Sequence, residues 1–193
     1  PRQYQQLRRS LKRLKGEGFR RAFVLRSVED VARVEVVREK LWPDQREERG
    51  PFDIIGDVHG CYAELEALLD QLGYDIAGEK VQPPPGRKAV FLGDLVDRGP
   101  DSPRVLALVM RMVAQGAALC VPGNHDMRLV RALRGRKVRR TYGLEETLVQ
   151  LDGETGEFRK EVESFLDGLV SHVVLDGGAL VVAHAGMKEE MAG

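Results

Sequence analysis

Four short stretches decide how this chain folds: FDIIGD (52–57), AVFLGD (89–94), LCVPGN (119–124) and LVVAHAG (180–186). Each climbs through an apolar run and ends at Asp, Asn or His beside a glycine. Short apolar runs bounded by turn residues read as buried strands. Helical patterns lie between them. Leu65, Leu68, Leu69 and Leu72 mark one helix face, Ser102 caps and Pro103 opens a second helix running to Gln115, and Phe158, Val162, Phe165, Leu166 and Leu169 mark a later one. VVLDGGALVV (173–182) predicts a hairpin with Asp176-Gly177 or Gly177-Gly178 in its turn. Strands alternating with helices make an α/β domain, and in open α/β sheets ligands bind beyond the carboxyl ends of the strands. The four strand ends are therefore expected to converge.

What they deliver suits metal. Asp57 and His59 stand two apart after the first strand and point the same way in extended chain; Asp94 ends the second, Asn124 and His125 the third, and His184 the hairpin. These are oxygen and nitrogen donors without a thiolate, a set that fits Mn²⁺, Fe or Ni²⁺ and borderline Zn²⁺ better than a structural zinc site. A carboxylate such as Asp94 can bridge two cations ~3.5–4 Å apart, and such a pair both activates water and clamps a phosphoryl group.

Composition narrows the class without choosing within it. The 193 residues suffice for one ordinary domain with a complete core. Hydrophobic residues at 42% and charged ones at 31% fit a globular chain rather than a disordered one. Thirty Lys+Arg against thirty Asp+Glu give +0, so affinity for nucleic acid would need a local cluster. No apolar run is long enough for a membrane span and no apolar core follows the basic N-terminal stretch, so a cytoplasmic protein is expected. Cys61 and Cys120 lack C-x-x-C spacing and read as reduced thiols.

The first fifty residues differ from the rest. Leu7, Leu11 and Leu14 recur at helical spacing before Gly16 and Gly18, AFVL (22–25) reads as a short strand, and Ser27 with Asp30 predicts a capping box for a helix carrying Val28, Val31, Val34 and Val37. PDQREERGP (43–51) reads as a polar linker, placing a boundary near Gly50: an appendage over 1–50 and a second domain over 51–193.

GDVHG, GDLVDRG, GNHD and HAG, in this order, resemble the signature of the calcineurin-like metallophosphoesterases, in the phosphoprotein-phosphatase branch, across most of 52–186. The resemblance implies an α/β fold, a β-sandwich flanked by helices, here with an N-terminal helical appendage. It also implies a two-metal, activated-water hydrolysis of phosphoric esters. Asp57 and His59 would hold the first metal, Asp94 bridge, and Asn124 and His184 hold the second. His125 would be the general acid with Asp126 orienting its ring. Arg98 would neutralise the phosphate oxygens, with Arg128 and Asn124 as further substrate contacts. Asp97 would orient Arg98 or a metal ligand. Two divalent ions are implied, Mn²⁺ foremost, with Ni²⁺ or Fe as substitutes. The family pattern continues past HAG to a G-H-x-H-like motif that does not appear before Gly193. The expectation is a domain truncated at its C-terminus, with an under-coordinated second site and weak or absent turnover.

A narrower resemblance lies in GEGFRRAFVLRSVEDVARVEVVREKLWPDQREERGPFDIIGDVHGCY (16–62), which looks like the kinase-to-phosphatase junction of bacterial polynucleotide kinase-phosphatases. That implies removal of 2′-phosphate, 3′-phosphate or 2′,3′-cyclic phosphate from RNA ends during repair. The implied partners are RNA ends, kinase and ligase-like domains of the same polypeptide, and an RNA-repair methyltransferase, with no membrane. No Walker A sequence is present. Arg128, Arg131, Arg134, Arg136, Lys137, Arg139 and Arg140 follow GNHD with no acidic residue among them, which predicts a positive wall for polyanions.

Plainer readings compete. Asp126 also suits a helix cap, Arg98 a surface ion pair, the 134–140 cluster a solvated loop, Cys61 a small packing residue and His172 an edge position. The same motifs also serve serine/threonine phosphoprotein phosphatases and dinucleoside tetraphosphate hydrolases, and a non-catalytic docking module of an RNA-repair complex is the reading from another class.

Overall fold

The computed structural model describes residues 23–25, 27–35 and 41–188. The chain forms two compact units, Pro1–Glu39 and Lys40–Gly193. In the first, helix α1 (Val28–Arg33) starts at the expected capping box: Asp30 N–H donates to the Ser27 hydroxyl and Ser27 N–H to the Asp30 carboxylate. None of its residues is buried, so its valines meet no core among the described residues. Residues 23–25 form no strand, and the helix read at Leu7, Leu11 and Leu14 lies outside the described residues, as does Val37.

The second unit is built on strands β1 (Phe52–Ile55), β2 (Lys88–Phe91) and β3 (Ala118–Cys120), parallel in that order. Ile55 lies opposite Phe91 and Phe91 opposite Cys120, so all three end level. Strands β4 (His172–Leu175) and β5 (Leu180–Ala183) form the expected antiparallel hairpin, reversed through Asp176, Gly177 and Gly178 at positive φ. Alternation along β2 and β3 divides the interior. Ala89, Phe91, Ala118 and Cys120 face a core shared with helices α2 (Tyr62–Gln71), α3 (Ser102–Ala114), α4 (Asn124–Leu133), α5 (Leu144–Asp152) and α6 (Gly156–Gly168). Val90 and Val121 face Val173, Leu175 and Val182 of the hairpin. The result is an α/β sandwich of two sheets flanked by helices, as expected from the sequence.

Three local expectations change. The cap of α3 is Asp101, whose carboxylate accepts the Arg104 N–H; Ser102 is the first helical residue, buried against α5. No pattern singled out α5, which starts at Gly143 (φ 96) without a side-chain cap. The stretch read as a linker runs along the open edge of β4: Gln45 N–H donates to Val174 O, Val174 N–H to Pro43 O, and Asp176 N–H to Glu48 O, while Lys88 pairs with Glu48. An edge strand presents unpaired backbone groups, and this segment satisfies them. Among the described residues no helix is long and apolar enough to cross a membrane.

Candidate metal centre

Because β1, β2 and β3 end at one level, the loops after them emerge side by side, and β5 brings His184 to the same edge. These loops are tied together: His59 N–H donates to Asp94 O at 2.9 Å and Gly60 N–H to Leu95 O at 2.8 Å. Asp94 is the hub. Its Oδ1 accepts the His125 N–H at 2.9 Å, turning Oδ2 toward His59 Nε2 (3.8 Å), His125 Nε2 (3.9 Å) and His184 Nε2 (3.6 Å). Asp57 Oδ2 lies 3.6 Å from His59 Nε2, and Asn124 Oδ1 lies 3.2 Å from His184 Nε2. Close approach requires glycine beside the hub, since a Cβ at Gly123 would overlap the Asp94 carboxylate.

The ring orientations test whether cations fit. His59 Nδ1 is 2.8 Å from Val96 O and His184 Nδ1 is 2.7 Å from Leu92 O, so each ring donates there and aims Nε2 inward. Metal-ligating imidazoles are oriented in this way. His59 Nε2 is then buried with no hydrogen-bond partner, between two carboxylates. At His184 a lone pair faces the Asn124 carbonyl oxygen, an arrangement of two acceptors that a cation relieves. Two donor groups share Asp94: His59, Asp94 and His125, and Asp57, Asp94 and His184. The residues fit divalent cations, and Asp94 is common to both donor groups.

His125 differs from the other two histidines in its second nitrogen. Its Nδ1 donates to Asp97 Oδ2 at 2.6 Å, and Asp97, itself fully buried, accepts the Thr147 hydroxyl at 2.8 Å and donates its own N–H to Thr147 Oγ1 at 3.0 Å. Asp97 therefore orients the ring, and the expectation for Asp126 is corrected. Asp126 is spent on backbone: its oxygens accept Leu95 N–H (2.9 Å) and Gly123 N–H (2.8 Å), closing the N-terminus of α4 three residues past Gly123. Burial pushes its carboxyl up to about 6 against the pull of those amides. Asp97 lies within the GDLVDRG motif; nothing in the sequence points to Thr147, fifty residues further on.

Arg98 is exposed, without a hydrogen bond or ion pair among the described residues, on a backbone held at φ 69. Arg128 lies against the centre instead, its Nη2 3.0 Å from His125 Nδ1 and 3.7 Å from Asp97 Oδ2. The expected positive wall is partly cancelled. Arg134 pairs with Glu163 (2.8 Å) and Asp167 (2.7 Å), holding the Asp167 carboxyl below its ordinary range, and Arg140 pairs with Glu145 (3.1 Å). The acids come from α5 and α6, outside the run itself. His172 opens β4 and borders a cavity of about 450 Å³ with Asn124 and His184. Cys61 is half-buried beside α2, and burial raises the Cys120 thiol, leaving it a packing group.

Comparison with known proteins agrees with this geometry. Residues 50–190 match the family described as calcineurin-like phosphoesterase. The chain is 44% identical over 146 residues to the bis(5′-nucleosyl)-tetraphosphatase (asymmetrical) PrpE of Halalkalibacterium halodurans, covering 74% of this chain and 59% of that protein. Identity to the protein of the same name from Bacillus subtilis is 41% over 146 residues, again 74% of this chain, and 60% of the relative. The chain thus spans about three fifths of the curated relatives it matches. A crystal structure of a candidate diadenosine tetraphosphatase superposes with a TM-score of 0.55 at 28% identity, covering 77% of this chain and 57% of that one.

Proposed function

Because this chain belongs to the calcineurin-like phosphoesterase family, we propose that its centre hydrolyses phosphoric bonds of a nucleotide with two divalent ions, Mn²⁺ foremost. The leading substrate is a bis(5′-nucleosyl) tetraphosphate, cleaved asymmetrically. The observation that carries the reading is His59 Nε2, buried without a partner between Asp57 and Asp94, in a chain 44% identical to a tetraphosphatase. Asp57, His59 and Asp94 would hold one ion and Asp94, Asn124 and His184 the other, supplying activated water and charge neutralisation when bound.

The chain's own groups do the rest. Asp97 fixes Nδ1 of His125 as a donor, so protons are exchanged at Nε2, which gives His125 the role of general acid toward the leaving oxygen. Arg98, uncommitted at the rim, holds the non-bridging oxygens with its guanidinium fork. Arg128 adds positive charge beside both ring nitrogens of His125.

A second reading is RNA-end repair, favoured by the 16–62 stretch that resembles the polynucleotide kinase-phosphatase junction, most of which lies before the family match begins at residue 50. On that reading RNA ends are the substrate, and the kinase, ligase-like and methyltransferase components are partners.

One assay separates them. The full-length protein with Mn²⁺ is offered a bis(5′-adenosyl) tetraphosphate and, separately, a short RNA ending in 2′,3′-cyclic phosphate. Nucleoside monophosphate and triphosphate in equal amounts support the first reading. Turnover of the RNA end alone replaces it with the second, and inertness toward both with intact metal binding leaves the docking-module reading.

A further inference from the structure

Six non-glycine residues among those described adopt left-handed backbone, and four of them, His59, Asp94, Asp97 and Arg98, belong to the centre. The fifth is Tyr142 at φ 60, to which no role has been given; the sixth turns the hairpin. Such a conformation is costly for a bulky residue and persists only where neighbours hold it. Both neighbours of Tyr142 are held by residues of the centre. Arg128 Nη1 donates to the Thr141 carbonyl at 3.3 Å, while Arg128 Nη2 reaches the His125 ring. Gly143 packs on the Arg98 backbone so closely that a Cβ there would overlap the Arg98 nitrogen. The side chain placed by this clamp fills no core: Tyr142 is 73% exposed, with the Arg128 guanidinium carbon 5.7 Å from its ring centroid. An arginine at that distance steadies the ring by a cation–π contact and leaves most of it to solvent.

We propose that Tyr142 is a stacking platform for the nucleobase of a substrate whose phosphate lies at His125 and Arg98. A flat, amphipathic ring fixed beside a phosphate site matches a nucleotide, which carries an aromatic base next to its charged group; every base has a face to stack, so the platform accepts purines and pyrimidines alike. One guanidinium bridges ring and imidazole, which places base recognition and proton delivery on a single side chain, Arg128. The inference rests on the nucleotide phosphoesterase reading and names the part of the substrate that is recognised.

The test uses the full-length protein with Mn²⁺, as wild type, Tyr142→Phe and Tyr142→Ala, with matched unfolding curves. Two readouts are taken: quenching of 2-aminopurine riboside monophosphate on binding, which reports stacking, and kcat/KM for a nucleotide phosphoester relative to glycerol 2-phosphate. Wild type and Tyr142→Phe should quench and prefer the nucleotide. Tyr142→Ala should lose the quench and reduce that preference about tenfold or more, chiefly through KM. A wild-type preference that survives in Tyr142→Ala overturns the platform alone, as does a Tyr142→Phe variant as impaired as Tyr142→Ala. A wild type that turns over glycerol 2-phosphate as well as the nucleotide overturns the nucleotide reading and the platform with it.

Discussion

Asp97 Oδ2 lies 2.6 Å from His125 Nδ1, and neither side chain is more than 5% exposed. Thr147 fixes the carboxylate from α5, so the imidazole is held by a chain of three side chains from three separate segments. The contact divides the histidines of the centre by chemistry. His59 and His184 are oriented by neutral backbone carbonyls and His125 by a carboxylate, which can stabilise an imidazolium when Nε2 takes up a proton.

Asp97→Asn therefore should spare metal and damage proton transfer. The amide is isosteric but turns a donor toward Nδ1, forcing the other tautomer. General acid catalysis is worth ~10²–10⁴ in rate, and the variant should lose about that much on substrates with poor leaving groups and less on an activated aryl phosphate. Steady-state kinetics on the two substrate types, with Mn²⁺ content measured in parallel, checks this. Equal losses on both types, or loss of bound metal, would place Asp97 in metal binding instead.

Asp94 and His125 should part company in the same assays. Asp94→Ala removes the carboxylate that faces three imidazoles and should empty both ion positions and abolish turnover. His125→Ala should keep Mn²⁺ and lose turnover. His125 also sits in a donor group with His59 and Asp94, so a His125→Ala protein that no longer binds Mn²⁺ would make it a ligand.

The strand ends, and the Asp, Asn and His side chains they bring together, were legible because each strand reports itself locally, through an apolar run closed by one of these residues beside glycine. The hairpin and the capping box at Ser27 were legible for the same reason. What escaped is non-local. Asp126 reads as the orienter of His125 because it is adjacent in sequence, yet adjacency on a helix turns it back to the Gly123 amide, while Asp97 arrives from another loop. The basic run looked unopposed because Glu163 and Asp167 reach it from α6. Pro43 and Gln45 looked like linker because their partner strand lies far along the chain, at Val174.

These pairings set a prediction for the basic run. Replacing Arg136, Lys137 and Arg139 together with glutamine should weaken an RNA-end substrate in a salt-dependent way, because released counterions scale with the phosphates contacted. A small aryl phosphate should change little. Kinetics at two salt concentrations reads the difference, and equal losses on both substrates would remove the run from substrate binding.

The last prediction concerns the end of the sheet away from Asp57, Asp94 and Asn124. The Tyr74 hydroxyl donates to Asp53 Oδ2 at 2.9 Å, Arg87 pairs with the other Asp53 oxygen, and Tyr74 is only 2% exposed. Burial first, then the hydrogen bond to Asp53, raises the Tyr74 phenol above the usual tyrosine range. A group whose folded value is raised contributes stability that is complete below its unfolded value of about 10 and is lost as pH climbs toward the folded one. Stability from urea unfolding should therefore fall above pH ~10 in wild type and fall less in Tyr74→Phe, which lacks the ionisable group. At neutral pH that variant should be weaker by about 1 kcal/mol, since Asp53 loses a hydrogen bond and keeps Arg87. Absorbance near 295 nm gives an independent reading: Tyr74 should stay neutral until the fold opens. Identical alkaline profiles for wild type and Tyr74→Phe would show that the buried phenol does not couple ionisation to folding.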